Sequence, residues 1–199
     1  LERMTFGHRL QKARTYALRQ IDRPIKRALL LGDGNGSFAI ELLSRHPDCQ
    51  IDSIEISPKM LAISQQRISV TLPGNADRYH PILADALNYD FGNACYDFVG
   101  LHFFLDCFED PECEQLIQAT TAALETRGVL SFADFNIPTK QPYRYVGRCL
   151  IRLLYLSFRL LTGLKTKRLP QCKWPNSLKQ IHAVQTLKGL FQKRVFVKL

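Results

Sequence analysis

The sequence predicts an α/β fold, a mostly parallel sheet with helices wound on both faces. Three observations predict it. Strand-length apolar runs alternate with helix-length amphipathic ones from about residue 28 to residue 133. The run 28–31, Ala-Leu-Leu-Leu, is apolar at every position, as in a strand covered on both faces. That run passes directly into Gly32, Gly34 and Gly36, at the carboxyl end of a strand, where doubly wound sheets receive ligands.

In chain order, residues 1–27 read as a helical segment, with Phe6, Leu10, Ala13, Ala17, Leu18 and Ile21 on one side and Pro24 ending the pattern. The strand 28–31, the glycines and a helix over 37–45 come next. Residues 50–55 form the second strand. Ser57 caps the next helix, which Pro58 opens and which runs to about residue 70. Residues 73–75 are a loop. A short third strand at 80–84, a fourth at 96–101, a helix over 111–125 and a fifth strand at 128–133 complete the right-handed alternation. Residues 143–161 break the rhythm with a long helix, apolar and basic at once. Pro170 and Pro175 punctuate the segment after that helix, and 182–188 and 191–198 read as two closing strands around Gly189.

At 199 residues and 46% hydrophobic the chain suits one domain with a full core. The expected organisation is a helical segment at 1–27, a ligand-binding core at 28–136, a basic helical insertion or cap at 137–180 and closing strands at 181–199. No clean apolar segment of about 20 residues is present to span a bilayer. The opening Leu-Glu-Arg-Met-Thr-Phe has no apolar core region, so a cytoplasmic protein without a secretion signal is expected. Six cysteines, none in a C-x-x-C pair, speak against a metal site and are expected to be reduced and buried. The net charge of +9 is very uneven. The last 60 residues carry +14 and no acid, whereas the first 139 carry −5. Such asymmetry favours an anionic partner for the C-terminal part, or a solvated basic face.

A glycine-rich turn followed by a helix N-terminus offers N–H groups to a ligand's anionic part. Two carboxylates strengthen that reading. Glu55 ends the second strand, 19 residues after Gly36, where it can accept both hydroxyls of a ribose. Asp85 follows the third strand and can accept the amine of adenine. Each alone also reads as a helix cap or a surface carboxylate. A dinucleotide fingerprint needs G-x-G-x-x-G, but Ser37 stands at the last position and the spacing is G-x-G-x-G.

Here the chain resembles the class I S-adenosylmethionine-dependent methyltransferases. The resemblance covers about residues 28–136: Leu-Leu-Leu-Gly-Asp-Gly-Asn-Gly, Ile-Glu-Ile-Ser-Pro-Lys-Met-Leu, Ala-Asp-Ala and Tyr-Asp-Phe-Val-Gly-Leu-His-Phe-Phe-Leu-Asp-Cys-Phe. The whole chain is similar to bacterial members of small-molecule type. The resemblance implies a Rossmann-like seven-stranded sheet with an antiparallel last strand. It also implies S-adenosyl-L-methionine as cofactor, S-adenosyl-L-homocysteine as product and a small-molecule acceptor. Gly32, Gly34 and Gly36 would line the methionine and ribose. Glu55 would hold the ribose hydroxyls, Ile56 would face adenine, and Asp85 and Ala86 would meet its amine and ring. The acidic residue that the family often has two places before the first glycine is Leu30 here. Asp33 sits between glycines instead and either contacts the methionine ammonium or leaves that contact to backbone carbonyls.

Methyl transfer from a sulfonium needs alignment and exclusion of water, and a base only where the acceptor loses a proton. His102, past the fourth strand, is a base or a packing neighbour of the cofactor. Asp106 orients His102 or touches substrate. Asp134, ending the fifth strand, faces the same rim or caps its loop. Arg144, Arg148, Arg152 and Arg159 form a basic stripe on an apolar helix. It reads as a lid, a homodimer contact or a peripheral membrane contact over 143–168. No aromatic-basic interleaving speaks for nucleic acid. Two other functions stay open: a catalytically silent fold that binds membrane or nucleic acid through the basic part, and a nicotinamide-dependent oxidoreductase, against which Ser37 argues.

Overall fold

Strand β1 (Arg27–Leu31) runs through the middle of the molecule, and its four apolar residues are at most 1% exposed. Leu29 and Leu31 enter one apolar cluster while Ala28 and Leu30 enter the other, so both faces of the strand are covered. The computed structural model describes residues 7–162, 166 and 168–199, with side chains at 9–156, 166 and 168–199. Phe6, expected on the first helix, and the side chains of Phe158, Arg159, Leu160 and Leu161 lie outside the described residues.

Seven strands form one sheet: β1, β2 (Gln50–Glu55), β3 (Tyr79–Leu83), β4 (Tyr96–His102), β5 (Leu124–Phe135), β6 (Leu178–Thr186) and β7 (Phe191–Lys198). Their order is β3-β2-β1-β4-β5-β7-β6. β1 pairs in parallel with both β2 and β4, so strand order reverses at β1. β7 runs antiparallel between β5 and β6. The helices are α1 (Gly7–Arg14), α2 (Ser37–Arg45), α3 (Pro58–Thr71), α4 (Asp110–Ala123) and α5 (Tyr143–Thr162). Phe38, Leu42 and Leu43 of α2 pack with Leu30 on one face, and Cys113, Leu116 and Ile117 of α4 with Leu29 on the other. Each such buried side chain contributes about 1.5–3 kcal/mol. Ser57 accepts a hydrogen bond from the Met60 N–H with Pro58 behind it, which starts α3 at its expected cap.

A third cluster, Leu10, Phe135, Ile151, Tyr155, Leu190 and Phe191, fastens α1 and α5 onto the end of β5 and the start of β7. It sets the basic helix above the carboxyl ends of the parallel strands.

Several boundaries differ from expectation. The first segment is a short helix, Gly7–Arg14, followed by a 3-10 turn at Ala17–Arg19, and not one helix. β3 begins one residue early. α4 stops at Ala123 because buried Leu124 already pairs with Tyr96, and Arg127 at φ 66 supplies the irregularity before Val129 resumes the register. β6 starts at Leu178 and ends at Thr186, because Leu187 and Lys188 take positive φ in the turn that brings β7 back. The cysteines are free, as expected, but only Cys49 and Cys113 are buried. Cys107 and Cys149 are exposed, and Cys95 and Cys172 lie between.

Candidate functional site

The site is built around the reversal point, on the carboxyl ends of β1, β2, β3, β4 and β5. After Leu31 the chain leaves the sheet, with Gly32 N–H still bonded to the Ile54 carbonyl at 2.9 Å. Gly32, Gly34 and Gly36 have φ of 64°, 63° and 75°. At two of them the neighbours also require glycine. A Cβ on Gly32 would lie 2.5 Å from the Phe104 ring, and one on Gly36 would lie 3.0 Å from Ser64 Cβ on α3. At Gly34 nothing comes nearer than Met60 at 3.5 Å, so this stretch of backbone is the more open one.

Asp33 turns inward. It is 7% exposed, and its carboxylate accepts the N–H groups of Phe38 at 3.2 Å and Ala39 at 2.9 Å. Gly36, at the N-cap of α2, has no side chain to offer those groups, and Asp33 does the capping instead. Burial pushes its carboxyl up to about 6, against the pull of those two N–H groups and of Arg14 and Arg67. These bonds give Asp33 a structural role in the loop. Asn35 and Arg67 finish the loop. Asn35 Oδ1 accepts from Ser37, and Arg67 donates to the Asn35 carbonyl and the Ser37 hydroxyl.

Glu55 stands half-buried at the end of β2, with Oε1 accepting the Ser57 N–H at 3.0 Å. Ile56 beside it is 68% exposed, an apolar side chain left uncovered next to a carboxylate. The Ala84 N–H donates to the Glu55 carbonyl at 3.2 Å, which brings the turn after β3 against the end of β2. In that turn Asp85 accepts from the Leu87 N–H and the Asn88 amide, and Ala86 is buried. Glu55, Ile56, Asp85 and Ala86 thus lie side by side. Each carboxylate oxygen has a second lone pair beyond the bond it accepts.

His102 is 5% exposed and points into the interface under α2. Its Nε2 is 2.7 Å from Ser131 Oγ, and its ring meets Phe38 edge-on with centroids 4.4 Å apart. Burial, with a smaller effect from Arg14, pushes it down to about 3, so the ring is neutral near pH 7. The ring is thus held between Phe38 and Ser131, with Nε2 engaged by that hydroxyl.

Asp106 and Asp134 do come together. Asp134 is 3% exposed; one oxygen accepts the Asp106 N–H at 3.2 Å and the other the Phe135 N–H at 2.7 Å. Burial and the neighbouring Asp106 charge hold the Asp134 carboxyl well above the usual carboxylate range. The Asp106 carbonyl accepts the Tyr155 hydroxyl of α5 at 2.8 Å and the Thr166 hydroxyl at 3.4 Å. Tyr155, Thr166, Ser131, Arg67 and buried Arg14, whose guanidinium lies 5.5 Å over the Phe103 ring, carry no signal in the sequence that marks them for the site. Only helical spacing on α5, which groups Tyr155 with Ile151, could have pointed to one of them. Among the described residues no cluster of His, Cys, Asp and Glu could hold a metal ion.

A family model described as a methyltransferase domain matches residues 28–128, just over half of the chain. No curated protein sequence matches it. Several solved structures share the fold. A candidate O-methyltransferase from Nostoc punctiforme superposes with a TM-score of 0.69 at 21% identity, over 97% of this chain and 56% of that one. The N-methyltransferase NodS from Bradyrhizobium japonicum, in complex with S-adenosyl-L-homocysteine, gives 0.59 at 15% identity, over 96% and 84%. An O-methyltransferase family 2 protein from Planctomyces limnophilus, in complex with apigenin, gives 0.68 at 17%, over 98% and 60%. The chain thus spans little more than half of the Nostoc and Planctomyces proteins, and at these identities the likeness is one of fold.

Proposed function

We propose, given that the chain belongs to the methyltransferase domain family, that it transfers a methyl group from S-adenosyl-L-methionine to a small organic acceptor by in-line displacement. The observation that carries this reading is the adjacency of an uncovered Ile56, Glu55 and the Asp85-Ala86 turn to a glycine loop at the reversal of strand order. An exposed isoleucine beside a carboxylate suits a flat base with a ribose. Ile56 and Ala86 would hold adenine, Asp85 its amine and Glu55 the ribose hydroxyls. The backbone of Gly32, Gly34 and Gly36 would take the methionine end, with Asp33 keeping that loop in shape. When bound, the cofactor supplies a sulfonium methyl already activated by its positive charge.

The chain's own part is to orient the acceptor and exclude water. Phe104, packed against Gly32, and α5 with residues 137–180 as a cap, serve that purpose. Where the acceptor gives up a proton, the Asp106–Asp134 pair is the candidate to receive it, because His102 Nε2 is engaged by Ser131. The Asp106 N–H bonds the Asp134 carboxylate, and burial together with the Asp106 charge raises the Asp134 carboxyl, so the two acids act on each other at this rim. The S-adenosyl-L-homocysteine held by NodS supports the cofactor, and the apigenin held by the Planctomyces protein supports a small-molecule acceptor.

A second element of the proposal concerns α5. Its outer face carries Tyr145, Val146 and Leu156 at 60%, 64% and 54% exposure, with Arg144, Arg148 and Arg152 also exposed, while Ile151 and Tyr155 are buried beneath. A cap that only covered a site would not leave so much apolar surface in water. A cytoplasmic protein resting this face on an anionic membrane accounts for it. Among the described residues no helix is long and apolar enough to cross a membrane.

The test is calorimetric titration with S-adenosylmethionine, S-adenosylhomocysteine and NADH on the wild type and on Glu55→Ala. Micromolar binding of the two sulfur compounds, weakened about tenfold (about 1.4 kcal/mol) in Glu55→Ala, supports the reading. Binding of NADH alone turns it toward the oxidoreductase, and no binding at all toward a silent fold.

A further inference from the structure

On the far side of α1 from the glycine loop, a cavity of about 380 Å³ opens between α1 and the turn from β6 into β7. Arg9, Lys12, Tyr16, Arg19, Thr186 and Lys193 line it, and no acidic residue does. Lys193 is the unusual member. It lies in β7 opposite Ala133 and is only 8% exposed, with its ammonium 4.5 Å from the centroid of the Tyr16 ring. Among the described residues no carboxylate pairs with Arg9, Lys12, Arg19 or Lys193. A buried ammonium is costly unless it is paired, and a ring face offsets only part of that cost. Burial, and then the charge of Arg19, push the Lys193 ammonium below its usual range. The fold therefore gathers four cations around one hollow with no carboxylate partner among the described residues, an arrangement that an anion would relieve.

We propose that this cavity is a binding site for a small phosphorylated compound, held through a phosphate or pyrophosphate group. A doubly charged group answers four cations better than a single carboxylate. Two guanidinium forks match tetrahedral oxygens two at a time, and Tyr16 and Thr186 offer hydroxyl donors. The site is separate from the glycine loop and does not rest on the methyltransferase reading. It borders Phe191, whose ring contacts Phe103 and Phe135, so one layer of packed aromatic rings separates it from the rim that holds Asp134.

The experiment is titration calorimetry and thermal unfolding with inorganic phosphate and pyrophosphate, at ionic strength matched with sodium chloride. The proteins are the wild type, Lys193→Met and the surface double variant Lys12→Ala/Arg19→Ala. Pyrophosphate is expected to bind and to raise the melting temperature of the wild type, with affinity weakened about tenfold or more in each variant. The double variant changes only exposed side chains, so the test survives if Lys193→Met does not fold. Pyrophosphate binding that is absent from the wild type, or unaltered in both variants, overturns the proposal. Two further arms use a single-stranded oligonucleotide and vesicles containing phosphatidic acid. If either binds through Lys12 and Arg19 while pyrophosphate does not, the surface serves a polymer or a membrane and the proposal is wrong.

Discussion

The Tyr155 hydroxyl on α5 donates to the Asp106 carbonyl at 2.8 Å, across 49 residues of sequence. This bond ties α5 to the loop that carries Asp106. Asp106 in turn donates its N–H to Asp134, so helix, loop and strand end form one connected chain. Tyr155→Phe keeps the ring in its apolar cluster and removes only the hydroxyl. It should cost about 0.5–1.5 kcal/mol in thermal unfolding. If the cap positions the acceptor, turnover should fall while S-adenosylhomocysteine affinity stays unchanged. Equal losses in both would assign Tyr155 to overall stability and not to the cap.

Asp33 and His102 give opposite pH dependences, and both feel Arg14. The Asp33 carboxyl is raised from 3.8 to about 6, so its contribution to stability is complete below pH 3.8 and is lost as pH rises through 6. His102 is lowered from 6.5 to about 3, so its contribution is present above pH 6.5 and is lost as pH falls toward 3. Between about pH 6 and 4 the two slopes, each about 1.4 kcal/mol per unit, nearly cancel. Asp134, also raised, adds to the Asp33 side in every variant. Asp33→Asn removes the offset. Its stability should fall faster on acidification, and the wild-type advantage should grow by about 2–3 kcal/mol from pH 7 to pH 4. His102→Gln, which can still bond Ser131, should shift the balance the other way. Parallel denaturation curves across that pH range would contradict both assignments.

The parts of the site that are legible in the sequence are the local ones. The strand, the glycines and the helix after them lie within 19 residues, and Glu55 and Asp85 mark strand ends by position alone. The remainder depends on contacts distant in the chain. Ser131 meets His102 across 29 residues, and Arg67 reaches the glycine loop across 32. That Asp33 caps α2 is hidden as well, because nothing in its neighbours' identities reveals that Gly36 leaves the cap to it. The bounds of β6 are hidden for another reason. It is an edge strand with almost every residue exposed or partly exposed, so it lacks the alternation by which a half-buried strand is read.

Gly36 separates α2 from α3, and the cost of filling that space can be isolated. Gly36→Ala combines a left-handed residue at φ 75 with a Cβ 3.0 Å from Ser64 Cβ and 3.2 Å from its Cα. Gly74→Ala has a similar φ of 85 and nothing within 4 Å. The backbone term, about 1–2 kcal/mol, is common to both. Gly36→Ala should therefore melt at a clearly lower temperature than Gly74→Ala, and the difference measures the displacement of α3. Equal melting temperatures would mean that the two helices move apart without cost.

The outer face of α5 makes the last prediction. If Val146, Leu156 and the arginines meet an anionic bilayer, the protein should co-sediment with vesicles rich in phosphatidylglycerol and not with pure phosphatidylcholine. Rising salt should weaken the binding, since each arginine near such a surface contributes about 1 kcal/mol through a screened interaction. Val146→Glu/Leu156→Glu places charges on exposed positions and should leave folding intact. Binding should be lost in that variant, and in Arg144→Ala/Arg148→Ala/Arg152→Ala it should lose its salt dependence. The competing occupant of the face is a second copy of the chain, which light scattering separates from a membrane. A dimer in the wild type that becomes a monomer in Val146→Glu/Leu156→Glu, with no vesicle binding in either, would assign the face to self-association.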